Sequence, residues 1–137
     1  MPIRHSLIAA ALTLGLVGSA VAAEAPRLEV SAQAPGSRVT VEAVSLAEDG
    51  FVVVHASDAE GKIVAPASIG HVAVAGGEHT AVEVPLEREV AAGERLYVML
   101  HRDTGTPGEY AFGPGSVDVD PPLVVDGKPV VRSVAVQ

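Results

Sequence analysis

The 137-residue chain contains no cysteine, no tryptophan and no asparagine, and aromatic residues make up only 3% of it. Without cysteine, we expect no disulfide, no thiolate nucleophile and no lipid carried on a cysteine. Without asparagine, there is no acceptor for N-glycosylation. Basic residues are also few, because 9 Lys and Arg stand against 17 Asp and Glu for a net charge of −8. This acidic balance argues against nucleic acid as a partner.

The N-terminus has the pattern of a secretory signal peptide. Arg4 supplies a positive charge, residues 6–23 are apolar or small, and Glu24 ends the run. Val21 and Ala23 at positions −3 and −1 fit cleavage after Ala23, which we favour, and Ala20 and Ala22 fit the alternative of cleavage after Ala22. An uncleaved membrane anchor is the alternative, because the run reaches the lower limit of about 18 residues for a spanning helix. The Ala/Gly-rich composition and the small-residue end favour cleavage.

We therefore expect residues 1–23 to be a signal peptide and residues 24–137 to form one domain. Loss of Arg4 with the signal would bring the net charge to about −9. No later stretch is long and apolar enough to span a membrane, so no membrane insertion is expected after cleavage. The predicted location is exported, either periplasmic or at the cell surface.

Alternation of apolar and polar residues predicts strands along the rest of the chain. Residues 27–33 and 38–46 alternate, as do residues 79–84, whereas residues 51–57 and 95–101 are nearly continuous apolar runs typical of central strands. Weaker strands are predicted at 62–69 and 71–74, a last strand at 130–136, and a loop at 103–120. Residues 85–90 are ambiguous, and residues 126–129 read as a turn. About seven or eight strands with regular turn signals predict an antiparallel β-sandwich, with a small barrel as the alternative.

Four stretches together resemble a known domain. They read VTVEAVSLAEDGFVVVH (residues 39–55), AGGEHTAVEV (75–84), LYVMLHRDTGTPGEYAF (96–112) and DGKPVVRSVAV (126–136). The chain resembles the immunoglobulin-like domain of unknown function found in surface glycoproteins of halophilic archaea and, as a single domain, in exported bacterial proteins. The resemblance implies an immunoglobulin-like β-sandwich and an exported location, and it implies no activity.

A calcium site is one hypothesis for the loop after residue 102. In the family that the chain resembles, this segment often reads as an acidic, Asn/Gly-rich calcium loop. Asp103 and Glu109 supply carboxylates here, but Gly105 and Pro107 stand where further oxygen ligands would be needed. The alternative is a long hairpin loop, capped by a local salt bridge, that Arg102 and Asp103 anchor.

The histidines are the second candidate metal ligands, because imidazole suits both Cu and Zn. If the two apolar strands pair antiparallel, one register sets Phe51 opposite His101 and His55 opposite Tyr97, and we expect it to keep His55 and His101 apart. No HxH or HxxxH spacing occurs, and Met99 is the only methionine after the predicted signal.

The alternative to a metal site gives the histidines structural roles. His55 and His101 would close core strands through hydrogen bonds to loop backbone, while His71 and His79 would lie in turns.

Catalytic motifs are missing from the sequence. There is no G-x-S-x-G elbow, no HExxH and no phosphate-binding loop. Asp118 and Asp120 form an acidic pair, but they stand beside Pro121 in a segment that we expect to be a solvated connection. The sequence therefore predicts a non-enzymatic exported module without a cofactor, with a structural or protein-binding role and an unknown protein or cell-envelope partner. A periplasmic metal-binding protein is the alternative, with Cu or Zn bound by histidines, or Ca by the loop from Asp103 to Glu109.

Overall fold

The computed structural model describes residues 25–137, so the predicted signal peptide and its cleavage site lie outside the described residues. The described part is all-β, and none of its segments is a helix that could cross a membrane. Nine strands follow one another along the chain: β1 (Arg27–Glu29), β2 (Gly36–Leu46), β3 (Gly50–His55), β4 (Gly70–Val74), β5 (Gly77–Val90), β6 (Arg95–Arg102), β7 (Val124–Val125), β8 (Lys128–Pro129) and β9 (Val131–Ala135).

Seven strands form one antiparallel sheet in the order β1-β2-β5-β4-β3-β6-β9. The long strand β5 pairs with β2 along most of its length and meets β4 where Leu86 lies opposite Gly70. A parallel bridge between Gln33 and Val136 brings the two edges of the sheet together. The sheet therefore folds over on itself, and the prediction of an antiparallel β-sandwich is confirmed.

The inner core between the two layers consists of valine and leucine only. Val39 and Val41 of β2 and Val52 and Val54 of β3 belong to this core, and all four side chains are fully buried. This is the outcome of period-two alternation, because every second residue of a strand points to the same face. Other members of the core come from β1, β5, β6 and β9, including Leu28, Val84, Leu96, Val98, Leu100 and Val134.

Strands β3 and β6 are central, as predicted from their apolar runs. Every residue of β3 is buried, and β3 lies between β4 and β6. The register between β3 and β6 is also the predicted one, with Phe51 opposite His101 and His55 opposite Tyr97.

The predicted strand at residues 62–69 is wrong, because this segment belongs to a loop. The Asp58 carboxylate accepts hydrogen bonds from the backbone N–H groups of Glu60 and Lys62, and Gly61 has a positive φ of 79°. An Asx-type turn of this kind satisfies local amides that a strand would otherwise pair. Only an isolated bridge between Ser57 and Ile63 remains of the expected pairing.

Two other expectations about turns are corrected by the strand bounds. His71 lies in β4 and His79 lies in β5, so neither histidine is in a turn. The ambiguous residues 85–90 continue β5. The predicted turn at residues 126–129 is confirmed at Asp126 and Gly127, which have φ values of 52° and 77° and join β7 to β8 as a two-residue hairpin loop.

Gly50 shows how closely β3 and β6 approach each other at the end of the sheet. A Cβ atom at this position would collide with the backbone carbonyl oxygen of His101. We expect Gly50→Ala to lower the free energy of unfolding by about 2–3 kcal/mol, because backbone on both sides would have to move. Urea unfolding measures this change. The matched control is Gly113→Ala, where no atom lies near the added methyl group, and a similar loss in both variants would contradict the close approach.

Candidate functional site

The outer face of β3 and β6, opposite the inner core, carries the histidines and aromatic residues. Phe51 and His55 leave β3 on this face, and Tyr97, Met99 and His101 leave β6 on it, because paired residues of antiparallel strands share a face. Such a face would normally meet solvent. Here it is covered by the loop of residues 56–69 after β3 and by residues 103–123 after β6.

Tyr110 and Phe112 are the two aromatic residues that the second loop lays over this face. The Tyr110 ring lies 5.2 Å from Phe51 and 4.7 Å from His71, measured between centroids. The Phe112 ring lies 4.9 Å from His101 in an edge-to-face arrangement. Aromatic pairs at such distances add to the stabilisation that burial provides. We call this cluster the outer core. Together with Tyr97 it takes all four aromatic residues of the chain, whereas the inner core has none.

The side chains of His55 and His101 meet at the centre of the outer core. Their ring centroids are 6.0 Å apart with an interplanar angle of 29°, and the residues are 1% and 0% exposed. The expectation that the register keeps these histidines apart is therefore wrong, although the register itself is correct. The side chains lean towards each other along the strands, and backbone pairing does not determine that tilt.

Both rings are fixed by backbone carbonyl groups of the covering loops. His55 Nδ1 lies 2.8 Å from the Ala67 oxygen and 3.1 Å from the Val64 oxygen, and His101 Nδ1 lies 2.7 Å from the Asp120 oxygen. A carbonyl oxygen only accepts, so Nδ1 donates in each case. The prediction that these histidines bond to loop backbone is confirmed.

The environment keeps His101 neutral at pH 7. Burial lowers the pKa of His101 to about 4, although the hydrogen bond to the Asp120 carbonyl acts in the opposite direction. Nε2 of each ring is buried and has no hydrogen-bond partner among residues 25–137. In both His55 and His101, therefore, Nδ1 is hydrogen-bonded to a loop carbonyl and Nε2 has no partner among the described residues.

Asp120 is fully buried, so the expectation that it belongs to a solvated connection is wrong for this residue. Its carboxylate accepts hydrogen bonds from the backbone N–H groups of Thr104, Gly105 and Ala111 at 2.8–3.1 Å. Burial raises the pKa of Asp120, but the three N–H donors outweigh that effect and the pKa lies below its ordinary value. Its neighbour Asp118 is exposed, as expected. Asp120 therefore ties both ends of the 103–123 loop together.

Asp103 and Glu109, the candidate calcium ligands, are not brought together as a ligand set. Asp103 Oδ2 accepts a hydrogen bond from the Gly108 N–H at 2.8 Å, and Glu109 is exposed. Across the part of the chain that the structure describes, no three His, Cys, Asp or Glu side chains converge as a metal site. Asp103 thus anchors its loop as predicted. The expected salt bridge is replaced by carboxylate-to-amide hydrogen bonds, since no ion pair in the described region involves this loop.

Comparison with known proteins identifies the family. The family model described as "Domain of unknown function (DUF7282)" matches residues 26–137. The chain belongs to the DUF7282 family. Its match covers every strand of the fold and both covering loops, so the outer core lies within the DUF7282 domain.

Two curated relatives of this DUF7282 domain come from Haloarcula hispanica. Cell surface glycoprotein 1 is 30% identical over 117 residues, and cell surface glycoprotein 2 is 29% identical over 117 residues. Each alignment covers 85% of this chain but 12% of the glycoprotein, so the chain corresponds to a small part of each relative. No solved structure matches the chain.

Proposed function

We propose that this chain is an exported, non-enzymatic β-sandwich module that acts in the cell envelope or at the cell surface, with a structural or protein-binding role. The observation that carries the proposal is the DUF7282 match over residues 26–137, together with relatives that are named cell surface glycoproteins. In those relatives the matching region is 12% of the protein, which fits one module of a larger protein.

The composition supports an extracytoplasmic location. The charged start, the apolar run of residues 6–23 and the small residues before Glu24 have the order of a cleavable export signal. The net charge of −8 favours a solvated surface that repels other acidic polymers.

The way in which polar groups are used supports a non-enzymatic role. His55 and His101 each donate from Nδ1 to loop carbonyl groups, and the Asp120 carboxylate is occupied by three backbone amides. A general base needs a free basic group within reach of a substrate proton. These buried groups instead hold loops in place, and the aromatic rings of Tyr110 and Phe112 pack against His101.

Localisation of the full chain in its native host tests the export proposal. We expect a C-terminally tagged chain in the envelope or extracellular fraction, with an N-terminus at Glu24 by mass spectrometry. Leu14→Arg, which places a charge in the apolar run, should leave the chain unprocessed in the cytoplasm, whereas Val124→Arg, at an exposed position of the domain, should leave export unchanged. Cytoplasmic location of the unaltered chain would overturn the proposal.

Turnover assays test the absence of catalysis. We expect the purified protein to show no hydrolase or oxidoreductase activity above that of buffer. The proposal fails if an activity appears that is lost in His55→Ala, His101→Ala or Asp103→Ala while the variant keeps its fold by circular dichroism.

A further inference from the structure

The His55–His101 pair has the chemistry of a metal-binding site. With Nδ1 donating to a carbonyl oxygen, a neutral imidazole carries its lone pair on Nε2. Metal-binding histidines are commonly held in this way, since the bond from the second nitrogen fixes both the tautomer and the ring orientation. Both Nε2 atoms are buried without a partner among the described residues. Buried polar atoms of this kind require an explanation.

The separation of the rings leaves room for one ion between two imidazoles. A ring nitrogen lies roughly 1 Å from its centroid and a metal–nitrogen bond is about 2 Å, so two rings on opposite sides of one ion have centroids roughly 6 Å apart. The centroids of His55 and His101 are 6.0 Å apart. His55 Nδ1 is hydrogen-bonded to the loop that follows β3, and His101 Nδ1 to the loop that follows β6. Because β3 and β6 are antiparallel, these loops leave opposite ends of the strand pair, and Nε2 of each ring is turned away from its own loop carbonyl.

We propose that His55 and His101 bind one Cu(I) ion between their Nε2 atoms. This ion accepts two nitrogen ligands in a near-linear arrangement and needs no further ligand. Zn²⁺ and Ca²⁺ need more ligands, and no third His, Cys, Asp or Glu joins the pair within residues 25–137.

The surroundings of the pair also select a soft, singly charged ion. Met99 leaves β6 on the same face, two residues before His101. Its thioether is a soft ligand of the kind that selects Cu(I). Asp120 is the one fully buried acidic residue among residues 25–137, and its carboxylate is occupied by backbone amides. Because the Born cost of burial rises with the square of the charge, a divalent ion costs about four times as much to bury as a monovalent one.

Anaerobic competition between the protein and a chromophoric Cu(I) chelator such as bicinchoninate tests the site. We expect the protein purified from cells that express the full chain to take up one Cu(I) per molecule, and equimolar Zn²⁺ or Ca²⁺ not to displace it. His55→Asn and His101→Asn keep an N–H donor near the position of Nδ1 and remove Nε2, so each should weaken Cu(I) binding at least a hundredfold.

A histidine outside the pair gives the matched control. His79→Asn alters a histidine of β5 that is hydrogen-bonded to the Ala75 carbonyl oxygen. This variant should bind Cu(I) within about twofold of the unaltered protein. Absence of stoichiometric binding, or unchanged affinity in His55→Asn and His101→Asn, would overturn the proposal.

A measurement on the unaltered protein keeps the test valid if a variant fails to fold. Long-range ¹⁵N NMR spectra of the histidine rings should show Cu(I) shifting Nε2 of His55 and His101 while Nδ1 of each stays protonated. Shifts confined to other histidines, or no shift at all, would contradict the site. The proposal does not rest on export, so either can fail without the other.

Discussion

Phe51→Ala is expected to lower the free energy of unfolding by about 3–5 kcal/mol, the usual cost of removing a buried aromatic side chain. Phe51 is fully buried, yet it faces away from the inner core and packs against Tyr110 of the covering loop. A large loss would therefore show that the outer core contributes to stability as a true core does. Urea unfolding followed by circular dichroism measures it.

Val117→Ala is the control within the same covering loop. Val117 is 53% exposed, and its truncation should change stability by less than about 0.5 kcal/mol. Phe51→Leu, which keeps most of the volume, should cost about 1–1.5 kcal/mol. If Phe51→Ala costs no more than Val117→Ala, the loop does not close over this face.

Asp120→Asn is expected to lower the free energy of unfolding by about 2–3 kcal/mol at pH 7, because charge-assisted bonds to backbone amides are among the stronger hydrogen bonds. Asparagine has nearly the same shape and tolerates the positive φ of 51° at this position. The variant therefore removes the charge and one acceptor without adding backbone strain. Asp118→Asn is the matched control, since Asp118 is exposed two residues away.

The pH dependence of the same pair provides a second measurement on Asp120. The pKa of Asp120 is lowered in the folded protein, so its ionised form stabilises the fold above the unfolded pKa of about 3.9, and this contribution is lost as the pH falls through the lower folded pKa. The difference in stability between the unaltered protein and Asp120→Asn should be full at pH 7 and shrink below about pH 4. A difference that is constant from pH 7 to pH 3 would contradict the role of the carboxylate.

The strands were predictable because their physical signal is local. Alternation along residues 38–46 predicts β2, and the apolar runs ending at His55 and His101 predict two central strands with the observed register. The wrong prediction of a strand at residues 62–69 has a local cause as well. The Asp58 carboxylate accepts hydrogen bonds from the amides of Glu60 and Lys62. A turn of this kind competes with strand pairing, and the alternation of apolar and polar residues does not reveal it.

The outer core was not predictable from periodicity, because the loop of residues 103–123 that covers it has no regular structure. Asp120 stands among prolines and another acid, as solvated residues do, and it becomes buried only because the amides of Thr104, Gly105 and Ala111 converge on it. One signal was available. All four aromatic residues lie in the two apolar strands or in the loop that follows the second of them, which indicates a second apolar cluster (Phe51, Tyr97, Tyr110 and Phe112).

The central claim about this fold is that residues 103–123 close a second core over β3 and β6, with Asp120 as the tie. Native-state hydrogen exchange by NMR tests it directly. We predict that the backbone amides of Thr104, Gly105 and Ala111 exchange far more slowly than that of Asp118, although all four lie outside regular strands. Exchange of all four amides at the same fast rate would contradict the claim.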